Sequence, residues 1–138
     1  MSTFNYAKYD TVFVHIVAAV LRQGKASAID GEGCKYRHGD LRCAVGHLIP
    51  DEQYDSSFEG KRFDAIRSRV PAFDVMSLGI SEMVAMLQFA HDTAYSRQKM
   101  ENGDDTRFVY WFTLSAHRIA NMYGLFEPWR SLKCQDLV

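Results

Sequence analysis

Cys34, His38, Cys43 and His47 fall within one glycine-rich segment, with Gly31, Gly33 and Gly39 to turn the chain around them. Their spacing, C-x3-H-x4-C-x3-H, offers two thiolates and two imidazoles, the donor set of a closed tetrahedral zinc site. Cys43 and His47 lie four residues apart, so a helix would place both on one face. The spacing is not that of a common finger or ribbon, and the C-x2-C pairs of those motifs are missing. The opposing reading is two thiols packed as small hydrophobes.

A nucleophilic reading uses the same segment differently. Cys43 follows Arg42 and opens an expected short helix, and both a helix N-terminus and a nearby cation favour the thiolate. His91 is the matching base, on the inner face of its own helix. Its neighbour Asp92 is expected to turn about 100° away around that helix, too far to orient the ring. Asp40, Asp51 or Gln88 is expected in that role instead. A third reading, the one we favour, is architectural. Here Arg37, Asp51, Tyr54 and His91 form a hydrogen-bonded network that stiffens an irregular core, joined by Cys34, Tyr36 and Asp92. It predicts that replacing Cys43 or His91 costs stability before it costs activity.

The elements that must position these groups are mostly helices. Residues 6–23 place Tyr9, Phe13, Ile16, Val17, Val20 and Leu21 at helical spacing, with Asn5 as N-cap and Gly24 as stop. His15 sits beside that stripe as a boundary histidine. Cys34 to Tyr36 against Leu41 to Cys43 reads as a short hairpin. Cys43 to Ile49 reads as a brief helix stopped by Pro50. Gly46 within it is costly unless something packs tightly on the backbone there. A loop over 51–60 and a short helix over 61–69 follow. Ser81 is then expected to cap a strong helix running to about Arg97, and a last long helix carries Phe108, Trp111, Phe112, Ile119 and Met122. Gly124 closes it, and the tail from Leu125 to Trp129 is expected to fold back as an apolar clasp. Met76, Met83, Met86 and Met100 gather around the 81–97 helix as core filler or adaptable contact.

Bulk properties narrow the classes. A chain of 138 residues suits one domain over 1–138, and folding at this size buries roughly 68% of the unfolded surface. The formal charge of −1, from 16 basic and 17 acidic residues, lacks the basic excess of a nucleic-acid binder. No apolar run approaches the ~20 residues of a membrane span, and the N-terminus has no secretory pattern. Three cysteines without export features point to free thiols in a reducing cytoplasm, Cys134 being incidental. A dinucleotide fingerprint and a phosphate loop are both missing.

The run Cys34-Lys35-Tyr36-Arg37, then Cys43-Ala44-Val45-Gly46-x-Leu48-Ile49-Pro50-Asp51 and Tyr54, resembles small uncharacterised proteins of tailed bacteriophages and prophages. The Leu87-Gln88-x-x-His91-Asp92 segment is similar to theirs, so the likeness covers the middle half of the chain. It implies an accessory protein of the bacterial host cytoplasm and transfers no activity. The expectation is therefore a mainly α, compact helical domain with a small β-hairpin near residues 33–43. It acts by binding a host or phage protein, for example to block a host or defence factor, and a homodimer is compatible with it. The alternatives are a thiol-dependent hydrolase or transferase using Cys43 and His91, and a zinc knuckle using Cys34, His38, Cys43 and His47.

Overall fold

A computed structural model describes residues 4–136, with side chains to residue 132. It is mainly helical, with two small antiparallel hairpins. Helix α1 (Tyr9–Gln23) forms because Val12, Phe13, Ile16, Val17 and Val20 recur on one stripe, and all are buried. It ends where Gly24 takes φ 75° and returns its N–H to the Val20 carbonyl at 3.0 Å. The helix begins after Lys8, not Asn5. The Asn5 carboxamide is spent on the Ala7 N–H at 2.9 Å, capping a turn that precedes the helix.

Helix α3 (Leu78–Met100) starts one turn before the expected Ser81. Ser77, in extended backbone after a 3-10 turn over Pro71–Val75, accepts the Ile80 N–H at 3.1 Å. Ser81 is inside the helix and buried. Helix α4 (Asp105–Tyr123) packs on α3, and Gly124 at φ 68° ends it as expected. The tail after it is itself a helix, α5 (Phe126–Asp136), which lays Trp129 and Leu132 into the core against α1. The side chain of Cys134 lies outside the described residues. No helix among the described residues is long and apolar enough to cross a membrane.

Between α1 and α3 the chain builds the irregular corner. Strand β1 (Ala28–Ile29) pairs with β2 (Gly33–Cys34), and β3 (Arg37–His38) pairs with β4 (Leu41–Arg42). This corrects the single hairpin expected for 34–36 against 41–43. Gly31 and Gly33, at φ 84° and 88°, close one turn, and Gly39 at φ 60° closes another, so Cys34 pairs backwards with Ala28. Cys43 to Ile49 is an isolated turn held by His47 N–H to Cys43 carbonyl at 3.0 Å, not a helix. Gly46 has the close neighbour its cost required: a Cβ there would lie 2.1 Å from the Tyr36 carbonyl oxygen. Turns over Asp51–Gln53 and Ser56–Phe58 lead into α2 (Phe63–Ile66), which tightens into a 3-10 turn over Arg67–Arg69.

Candidate functional site

Helix α3 presents Gln88, His91 and Asp92 to the first hairpin. His91 is fully buried, edge-on to Phe108 with ring centroids 5.3 Å apart. The backbone N–H of Ser27 meets its Nε2 at 3.2 Å. A backbone N–H can only donate, so Nε2 accepts, and the ring proton sits on Nδ1. Nδ1 then donates to Asp92 Oδ1 at 3.0 Å. His91 is thus a neutral imidazole with both nitrogens engaged, not a free base.

Asp92 does orient its neighbour, against expectation. The 100° offset of successive helical residues describes Cβ directions. Nδ1 is the ring nitrogen nearer the backbone, and the Asp92 carboxylate swings back to it. Gln88, one turn earlier, holds that carboxylate with an Nε2–H donated to Oδ1 at 2.9 Å. Its own Oε1 accepts the Val45 N–H at 2.9 Å, which ties α3 to the Cys43–Ile49 turn.

Cys34, on β2, is the thiol that meets this pair. The donor atoms of Cys34, His91 and Asp92 all lie within 4.8 Å of one another. Cys34 is half-buried, and its thiol is pushed up chiefly by burial and then by the Asp92 charge. Cys43 lies outside the cluster, 1% exposed, its sulfur accepting the Gly46 N–H at 3.4 Å. Burial pushes that thiol up to about 12. The activation expected for Cys43 is missing because no helix begins there, and Arg42 is drawn to Asp51 at 3.0 Å.

The zinc quartet is not assembled. Among the described residues, Cys34, His91 and Asp92 are the one such group whose donors converge. The two hairpins split the expected four ligands: Cys34 belongs to the first, and His38 is exposed on the second. His47 Nε2 is buried without a partner among the described residues, and burial, with the charges of His15 and Arg42, lowers its pKa to about 4.

A second cluster joins Arg37, Asp51 and Tyr54. Arg37 Nη1 meets Asp51 at 3.0 Å, Nη2 donates to the Ile49 carbonyl at 2.7 Å, and the guanidinium lies 4.7 Å over the Tyr54 ring. His91 takes no part in it. The hub is instead Glu59, which accepts the Tyr36 and Arg37 N–H groups at 2.9 and 3.0 Å and the Tyr54 hydroxyl at 2.6 Å. Sequence reasoning missed Glu59 and Ser27. Glu59 had one signal, an acid beside Gly60 in a loop whose amides need acceptors; Ser27, acting through its backbone, had none.

An open cleft of about 790 Å3 lies between α3 and the segments 33–36 and 60–64. Cys34 and Asp92 line it, together with Lys61 and Arg62. On its α3 wall Leu78 and Phe89 are 74% and 72% exposed. No family model matches this chain, and neither a search of curated proteins nor one of solved structures finds a match.

Proposed function

We propose that the chain is a phage-type accessory protein of the bacterial cytoplasm that binds a host or phage protein, with the α3 cleft as its recognition surface. Blocking or redirecting a host or defence factor is the use such binding would have. Leu78 and Phe89 carry this reading. They stand eleven residues apart, close to three helical turns, so both fall on one outward stripe. Large apolar side chains left open along a cleft with a charged rim are the pattern of a partner site. Two further facts disfavour the thiol-enzyme reading: the Cys43 thiol is buried and protonated, and His91 is committed to Ser27 and Asp92.

The test places a photo-crosslinking residue at Glu82, inside the cleft, or at Arg118, exposed on α4, and irradiates phage-infected cells. The expected result is a discrete protein adduct from position 82 that position 118 does not give. Leu78→Asp with Phe89→Asp should abolish it while the circular dichroism spectrum is retained. Equal adducts from both positions, or an adduct indifferent to the double substitution, would defeat the assignment. An adduct at twice the chain mass would make this face a homodimer contact instead.

A further inference from the structure

We propose that Cys34, His91 and Asp92 form a binding site for a zinc-type divalent ion, with its fourth position open to the cleft. Thiolate, imidazole and carboxylate are the three protein ligand classes that zinc takes, and three of them plus one exchangeable position is the pattern of an open site. Here one of each converges within 4.8 Å. Metal–ligand bonds of about 2.0–2.3 Å place tetrahedral donors roughly 3.3–3.8 Å apart. Nδ1 and Oδ1 already stand at 3.0 Å, and with one donor from each residue inside 4.8 Å of the others, closing the group takes shifts of about an ångström. The supporting shell is also present, since Gln88 holds the Asp92 carboxylate from α3 while pairing with β1 fixes Cys34. Cys34 and Asp92 both line the cleft, which gives an ion its way in.

The ring must change tautomer for the ion to bind. An ion on Nδ1 displaces the proton now given to Asp92, and the thiol proton also leaves to solvent. The imidazole then carries its hydrogen on Nε2, facing the Ser27 N–H, and two donors cannot share that contact. Ser27 supplies the acceptor on the same residue: its Oγ is buried and has no hydrogen-bond partner among the described residues. That spare hydroxyl becomes the acceptor of Nε2–H in the metal-bound form, the Ser27 N–H giving up its contact with the ring.

The experiment titrates the metal-stripped full chain with Co2+, whose thiolate-to-metal charge-transfer band reports sulfur coordination, and then displaces it with Zn2+. One equivalent should saturate the band, and Cys134→Ser should leave it intact. Cys34→Ala should abolish it. Asp92→Asn and Ser27→Ala should each weaken binding tenfold or more. Because a buried substitution can disturb folding, a second measurement uses the unaltered chain. Nitrogen NMR of labelled histidine should show the His91 proton move from Nδ1 to Nε2 when Zn2+ is added. A missing stoichiometric band, a band that survives Cys34→Ala, or a His91 tautomer unmoved at saturating zinc would overturn the site.

Discussion

Cys43 and His47 stand one turn apart yet respond to pH in opposite directions. Burial lowers the His47 pKa from its ordinary 6.5 to about 4, so in that interval the unfolded chain binds the proton and the folded chain does not. Stability is complete above about 6.5 and is lost as pH falls toward 4. Cys43 is raised from its ordinary 9.0 to about 12, so the folded chain holds a proton that the unfolded chain releases. Its contribution is complete below 9 and is lost as pH climbs to about 12. Urea midpoints measured across pH should therefore form a plateau with two falling limbs. His47→Gln should make the acid limb shallower and leave the alkaline limb as it is; Cys43→Ala should do the reverse, with the raised Cys34 thiol keeping part of the alkaline limb. Iodoacetamide at neutral pH should reach Cys43 only at the rate at which the protein opens.

At the scale of elements, Gly46 is a junction closed by backbone on both sides. A Cβ there would meet the Tyr36 carbonyl oxygen at 2.1 Å and the Cys43 nitrogen at 3.2 Å, both backbone atoms with little room to move. Gly46→Ala should cost about 2–3 kcal/mol by overpacking. Calorimetry should show the melting temperature fall by roughly 3–4 °C for each of those kcal/mol. The need for a close neighbour at Gly46 was legible in the sequence, because glycine inside an apolar run wants a reason. The three long helical stretches were legible too, through apolar spacing and through Gly24 and Gly124. Helix starts were less so: Ser77 and Ser81 stand one turn apart, and only the turn at Pro71–Val75 decides between them. Hairpin register was not legible, since strands of two residues have no alternation to read. Glycines announce a turn without saying which strands it joins. The pairing of Cys43 with His91 rests instead on a helix start at Cys43, where the structure has only a turn, and it is the β1–β2 pairing that brings Cys34 to His91.

The whole molecule is closed by its last helix. Trp129 and Leu132 bury against the core, and His117 of α4 stacks on the Trp129 ring with centroids 5.2 Å apart. Trp129→Ala should cost about 3 kcal/mol, read as a lowered urea midpoint with unchanged helical signal before the transition. The corner that carries the cleft is held differently, by helices and loops that reach out to it. Gln23 accepts the Arg42 N–H and donates to the Arg42 carbonyl, both at 3.0 Å, while Glu59 takes two amides and His91 one. Main-chain atoms are the same whatever residue bears them. Evolutionary drift therefore has wide latitude along the gripped ribbon, at positions such as Ile29, His38 and Leu41, and almost none at the three side chains doing the gripping. Saturation mutagenesis scored by folded yield should draw that contrast as a tolerant stripe between intolerant points.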